Sequence, residues 1–274
     1  MDFLREARQQ YQPPLPRQLE RLDQVTLKAT SESSPSPCAS LFPLTAHQKT
    51  HELAQGAPRP SKARYRVGVL FSGGPAPGGH NVIAGLSDAG PVDVIGFLGG
   101  PSGLVDNQFR MLTKGDIDAV RNTGGFDLLG SGRTKIETEA QFEASIRTCL
   151  GHKLDALIII GGDDSNTNAA FLAERFVKEK IDTVVVGVPK TIDGDLRSKD
   201  IEMSFGFDSA CRTYAELIGN LGKDVCSSKK YYHVVKLMGR SASHITLECA
   251  LQTRPNLAFI GEEGKGLHQI VDEI

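Results

Sequence analysis

Leu154-Asp155-Ala156-Leu157-Ile158-Ile159-Ile160 leads directly into Gly161-Gly162-Asp163-Asp164-Ser165-Asn166-Thr167-Asn168, and residues 169–180 follow with helical spacing. An apolar run of strand length, a glycine turn and a helix, in that order, predict a buried strand delivering a turn to the edge of a sheet. The same grammar appears upstream. A strand over 65–71 is broken by Ser72-Gly73-Gly74-Pro75-Ala76-Pro77-Gly78-Gly79 before a helical stretch that begins near His80. Downstream, a strand over 183–188 ends in Pro189-Lys190-Thr191-Ile192-Asp193-Gly194-Asp195. Further strands are expected at 92–97, 231–237 and 257–260, and helices at 139–150, 209–221 and 241–251. That alternation predicts an α/β fold with three αβα layers and a mainly parallel sheet. In a parallel sheet the three glycine-containing turns would open on one edge, where such proteins hold ligands.

Residues 1–63 are rich in Pro, Ser and Gln and read as an extended arm with a short helix near its start, 31–37 being the stretch read as most flexible. Residues 64–206 are expected to form a first lobe, complete or nearly so, and 207–274 the beginning of a second, truncated one. Composition narrows the class. The 274 residues are 39% hydrophobic, lack tryptophan and carry a formal charge of −2, which leaves no basic footprint for nucleic acid or an anionic membrane. Aliphatic runs are strand-sized, too short to span a bilayer. Cys38, Cys149, Cys211, Cys226 and Cys249 are scattered without a Cys-x-x-Cys pair, as suits free thiols in a reducing compartment. Asp2 and Glu6 precede any apolar segment and argue against an export signal, so a cytoplasmic location is expected.

The turn 189–195 sets two carboxylates one glycine apart beside a lysine. One carboxylate can take a proton from an attacking hydroxyl, the other can orient the base or a metal, and Lys190 can neutralise charge gathering on a phosphate. An ordinary acidic surface turn uses the same residues. At 161–168 the glycines allow close backbone approach, and the helix start offers amides to phosphate oxygens. Asp163 would repel a bare phosphate there and makes sense as a ligand of an accompanying magnesium ion. Ser165 or Asn166 is expected to cap the helix. Residues 72–79 show neither the Walker A pattern nor the dinucleotide fingerprint. His80, His233 and His244 show no metal-ligand spacing and are expected to be structural.

Gly73-Gly74 with Pro77-Gly78, the Gly161 to Ser165 turn, the segment 189–195 and Met238-Gly239-Arg240 occur in the order and approximate spacing of the phosphofructokinases. In detail the chain resembles the pyrophosphate-dependent branch of that family in its long form. The resemblance implies reversible, magnesium-dependent phosphoryl transfer from pyrophosphate to the C1 hydroxyl of fructose 6-phosphate. It implies that Asp193 is the general base, that Asp195 supports it, and that Thr191 and Ile192 contact the sugar phosphate. Asp163 would hold magnesium, Gly74 would lie against the diphosphate, and Arg133, in Gly130-Ser131-Gly132-Arg133, would meet the phosphoryl donor. Met238, Gly239 and Arg240 would form part of the sugar-phosphate pocket. Lys230 and Tyr231 stand where long members offer a substrate contact across a dimer interface, so a homodimer or a hetero-oligomer with a related subunit is implied, the arm packing on the partner. Taken by themselves, Arg133 is equally a surface arginine after a glycine turn, and Lys230 and Tyr231 begin a strand whose Val234, Val235 and Leu237 look like core. Arg240 is equally a helix-terminal ion pair.

In ATP-using relatives the positions of Asp164 and Lys190 are typically glycine. The resemblance therefore implies that Asp164 stands where an α-phosphate would lie and that Lys190 compensates a pyrophosphate being cleaved, which favours the inorganic donor. An ATP-dependent phosphofructokinase and a noncatalytic regulatory subunit are the alternatives. Such subunits usually lose the acidic residues that Asp163, Asp193 and Asp195 retain. Kinases of the Gly-Gly-Asp group that act on NAD or lipids share the 161–163 turn but not the 189–195 and 238–240 segments. The chain stops at Ile274 in what reads as the first turns of a helix, whereas long members continue for roughly as much again. The resemblance thus implies coverage of the N-terminal half, with further pocket residues beyond it.

Overall fold

The computed structural model describes residues 2–12, 24–30, 38–57, 64–197 and 201–274. The stretch 31–37, read as flexible, lies outside the described residues, as do 13–23 and 58–63 of the arm. Two compact units divide the chain, Met1–Val188 and Pro189–Ile274.

In the first unit the arm contributes α1 (Asp2–Gln10), the short helix expected near its start, and an antiparallel pair, β1 (Val25–Ala29) and β2 (His51–Gln55), in which Leu27 faces Leu53. Then follow β3 (Tyr65–Ser72), α2 (Gly79–Asp88), β4 (Val92–Phe97), α3 (Pro101–Val105), β5 (Phe109–Leu112), α4 (Lys114–Val120), β6 (Ser131–Gly132), α5 (Glu139–Gly151), β7 (Ala156–Gly161), α6 (Asp163–Lys178) and β8 (Val184–Pro189). The sheet runs in the order β5-β4-β3-β7-β8. β3 pairs in parallel with β4 and β7, and β5 is antiparallel to β4 at the edge. Because β4 pairs with β3 only from Tyr65 to Val69, the two residues of β6 take its place beside Phe71 and Ser72.

Successive strand residues point to opposite faces of a sheet, and β3 shows what covers each. Leu70 packs with Leu104 of α3, Ile146 and Cys149 of α5, and Leu172 and Phe176 of α6. Phe71 faces the other way, stacked on Phe126 at 4.2 Å, with the ring of His80 in α2 6.2 Å off. Helices therefore cover both faces, as the three-layer reading expects. Leu70, Phe71, Leu157 and Ile160 are wholly inaccessible, each burial contributing about 1.5–3 kcal/mol. That explains why β3 and β7 read as nearly continuous apolar runs. Helix starts are fixed locally: Thr113 and Thr138 form capping boxes with Asp116 and Gln141 at the heads of α4 and α5. The arm is also tied in. Glu174 of α6 accepts hydrogen bonds from the Leu44 amide at 2.8 Å and from the Thr45 amide and hydroxyl at 2.9 and 2.8 Å.

The second unit contains α7 (Phe207–Ser228), α8 (His244–Thr253), a 3-10 turn over Gly261–Glu263, and α9 (Leu267–Glu273). Its small core joins Phe207, Cys211, Ile245 and Cys249, with Ile192, Met203, Tyr214, Ile218 and Leu237 packed around them. Two expectations fail here. Segments 231–237 and 257–260 are not strands, and Val234 is 89% exposed instead of forming core; of the three residues expected inside, only Leu237 is partly buried. A strand needs a neighbour to satisfy its amides and carbonyls, and among the described residues this unit offers neither segment one. Among the described residues, too, no helix is long and apolar enough to cross a membrane and no disulfide is formed.

Candidate functional site

β3 and β7 end in register, Ser72 opposite Gly161. Two of the three turns read from the sequence therefore open side by side. Ser165 Oγ donates to Ser72 Oγ at 2.9 Å in the buried space between them. Gly161 has to be glycine: a Cβ there would stand 2.4 Å from Ser165 Cβ and 2.7 Å from the Ser72 carbonyl oxygen. The adjoining loop is held on its other side by β6. The Gly73 amide donates to the Gly132 carbonyl at 2.9 Å, and Ser131 Oγ donates to the Gly73 carbonyl at 2.6 Å. The chain then delivers Arg133, whose Nη2 lies 3.7 Å from where a Cβ on Gly74 would be. A guanidinium over an open glycine backbone is a suitable pair of walls for an oxyanion.

α6 begins at Asp163 with Gly162 as its N-cap and no side-chain cap. The expectation that Ser165 or Asn166 caps the helix is thus overturned, because both lie inside the first turn and their side chains bond outward. Asn166 Nδ2 donates to the carbonyls of Gly161 and Gly162, both at 2.8 Å. Asp163 and Asp164 are exposed in that first turn. Their charge suits the helix dipole yet opposes a bare anion. Among the described residues no three His, Cys, Asp or Glu side chains gather as a metal cage. One or two carboxylates completed by phosphate oxygens and water is the donor set that magnesium takes. Asp163 and its neighbour fit that description.

His80, near the start of α2, is fully buried. Thr123 Oγ1 donates to the Val120 carbonyl at 2.6 Å, so the 2.8 Å contact between His80 Nδ1 and Thr123 Oγ1 requires a protonated Nδ1. Nε2 then accepts from the Leu128 amide at 3.2 Å. Burial holds the imidazole below its ordinary pKa against the opposing pull of Asp127. The neutral ring thereby pins 120–128, the segment that feeds β6, to the helix behind the Gly73–Gly74 loop.

The acidic turn belongs to the second unit. Its course is set by Gly194, at φ 72°, a left-handed conformation that favours glycine. Thr191 Oγ1 accepts from the Asp193 amide at 3.1 Å, and Ser204 Oγ donates to the Thr191 carbonyl at 2.6 Å. His244 Nδ1 donates to the Gly194 carbonyl at 3.1 Å, between the two carboxylates in sequence. Lys190 bridges in parallel to Phe205 through the backbone, Ile192 anchors the turn in the small core, and Asp193 and Asp195 are half-buried. Lys230, Tyr231, Met238, Gly239 and Arg240 are exposed in the same unit, with Lys230 Nζ 5.8 Å from the Tyr231 ring. Sequence reading missed Ser131 and Ser204 and took His80 and His244 for structural residues alone. The one signal for them was their place beside glycine turns.

The sequence model described as Phosphofructokinase matches residues 66–274. Over 209 residues the chain is 59% identical to the pyrophosphate--fructose 6-phosphate 1-phosphotransferase of Treponema pallidum (strain Nichols), taking in 74% of this chain and 36% of that protein. The like-named protein of Porphyromonas gingivalis is 48% identical across 98% of this chain and 50% of its own length. The chain spans about half the length, or less, of these curated relatives. A crystal structure of the pyrophosphate-dependent phosphofructokinase from Marinobacter aquaeolei aligns with a TM-score of 0.65 over 77% of this chain and 56% of that one, at 21% identity, a likeness of fold alone. With a match that takes in every motif from Gly73 to Arg240, the chain belongs to the phosphofructokinase family.

Proposed function

We propose that the chain serves a reversible, magnesium-dependent transfer of a phosphoryl group from pyrophosphate to the C1 hydroxyl of fructose 6-phosphate, in the cytoplasm. The observation that carries the choice of donor is the braced cradle of Gly73 and Gly74 under Arg133, beside a helix start bearing both Asp163 and Asp164. Such a cradle suits a small dianionic group. Asp164 adds a negative charge that disfavours a donor with a further phosphate and a nucleoside attached. The names of the relatives at 48–59% identity support the same donor and acceptor.

In this reading Asp193 takes the proton from the C1 hydroxyl as the new C1 oxygen–phosphorus bond forms, the bridging bond of pyrophosphate breaks, and inorganic phosphate leaves. Asp195 supports the base, and Lys190 and Arg133 offset charge spreading over the transferring group. Magnesium, when bound, neutralises the diphosphate oxygens, with Asp163 as the carboxylate that holds it. Thr191 and Ile192 approach the sugar from the acidic turn. The exposed Lys230, Tyr231, Met238, Gly239 and Arg240 are available to the sugar phosphate. The exposed pair Leu27 and Leu53 supports packing of the arm on a second copy or a related subunit. One phosphoanhydride is exchanged for one phosphate ester, which is why transfer should run in both directions. Assaying fructose 6-phosphate in parallel with pyrophosphate and with ATP tests the proposal: turnover should require pyrophosphate, and turnover with ATP alone would overturn it.

A further inference from the structure

We infer that Asn168 is a positioning residue for the donor site: its side-chain amide clamps Ile136 so that the loop carrying Arg133 keeps the guanidinium over Gly74. The inference rests on the reading of Arg133 and Gly74 as donor contacts, and nothing in the sequence motifs assigns Asn168 a role.

Residues 133–138 join β6 to α5 without regular structure, and Arg133, Thr134, Lys135 and Glu137 are exposed. A six-residue connection of this kind has many backbone states open to it. Its ends are fixed, upstream by the pairing of Ser131 and Gly132 with β3 and downstream by the Thr138 capping box. Between these ends stands the clamp. Asn168 Oδ1 accepts from the Ile136 amide at 3.1 Å, and Asn168 Nδ2 donates to the Ile136 carbonyl at 2.8 Å. One side chain thus supplies both hydrogen bonds that an adjacent strand would have given. The Ile136 side chain, 1% exposed, enters the same core as Ala169 and Leu172 of α6. Both the backbone and the side chain of Ile136 are therefore referred to one helix, the helix whose first turn carries Asp163. Asparagine is a poor residue for a helix interior because it competes for backbone partners. Here that tendency is directed at the loop, three residues from Arg133. Truncating Asn168 would leave Arg133 chemically intact but free to move away from Gly74.

The test is calorimetric titration of the chain with magnesium pyrophosphate, on the wild type, Asn168→Ala, Arg133→Ala and the double variant, alongside amide hydrogen exchange. Loss of a charge-assisted contact should weaken binding roughly tenfold to a hundredfold in Arg133→Ala. Asn168→Ala should weaken it by about tenfold or more, and the double variant should bind no worse than Arg133→Ala, because Asn168 acts through the arginine. Exchange should quicken within 133–138 and stay slow in β3 and β7. Asn168→Asp has the same shape but cannot donate to the Ile136 carbonyl. It should show the same loss, and it covers the case in which the alanine variant does not fold. Wild-type affinity in Asn168→Ala and Asn168→Asp, or losses that multiply in the double variant, would overturn the inference alone. Failure of the wild type to bind magnesium pyrophosphate would overturn the donor reading and this inference with it.

Discussion

Ser165 Oγ donates to Ser72 Oγ across 2.9 Å, both residues being buried, and so joins the first turn of α6 to the last residue of β3. This bond sets the spacing between the glycine loop and the carboxylates of the helix start. Ser165→Ala should cost about 1–3 kcal/mol, the range for leaving a buried hydroxyl without its partner. Urea denaturation measures that loss, and an unchanged midpoint would remove the bond from the account.

His80 makes stability depend on pH. Its folded pKa lies below the ordinary 6.5 because burial disfavours the imidazolium. The unfolded chain therefore binds the extra proton first as pH falls, so this contribution is complete above about 6.5 and is lost as pH drops toward the folded pKa. The thermal midpoint should decline on acidification below 6.5, and His80→Asn should flatten that decline while lowering the midpoint throughout. His152, also shifted down by burial, acts in the same direction and accounts for a residual slope. An identical slope in the variant would show that His80 is not the titrating group.

Removing the proposed base separates binding from turnover. Asp193→Ser should retain affinity for fructose 6-phosphate and lose about a hundredfold to ten-thousandfold in rate. Steady-state assays with equilibrium binding measure both quantities, and near-normal turnover would exclude Asp193 as base.

His244 holds the Gly194 carbonyl of the acidic turn, the residue between Asp193 and Asp195 in sequence. His244→Ala should therefore lower kcat and leave the affinity for magnesium pyrophosphate unchanged. Titration calorimetry beside steady-state kinetics checks this, and a fall in pyrophosphate affinity with kcat intact would contradict it.

The parts of the fold that were legible in the sequence are those that carry their own burial. β3, β4, β7 and β8 are found within two residues of their expected positions. β3, β4 and β7 lie inside the sheet and are apolar on both faces. β8, the exception, ends the strand order with Val184 and Val186 exposed and is legible through its run of β-branched residues. β5 was not legible, since Phe109 to Met111 are exposed at an edge, and β6 is only two residues long. The expectation for 231–237 failed for a complementary reason: Tyr231, Val234 and Val235 have strand character, but pairing depends on neighbours that a local pattern cannot supply. Within the site, Asp163, Asp164 and Arg133 stood out through motif and charge. Ser131, Asn168, Ser204 and His244 did not, because their contribution is a hydrogen bond to a carbonyl or amide 13 to 58 residues away. The start of α6 was placed six residues late because Asp, Ser, Asn and Thr favour caps and turns, whereas here they make its first turns.

The proposed cradle of Gly73, Gly74 and Arg133, with Asp164 in the first turn of α6, should accept inorganic pyrophosphate and refuse a nucleoside triphosphate. Calorimetric titration of one preparation with magnesium pyrophosphate and with magnesium ATP, repeated on Asp164→Gly, measures this directly. Saturable binding of pyrophosphate, with ATP binding appearing only in the glycine variant, is the predicted result. ATP binding to the wild type as tightly as pyrophosphate would contradict it.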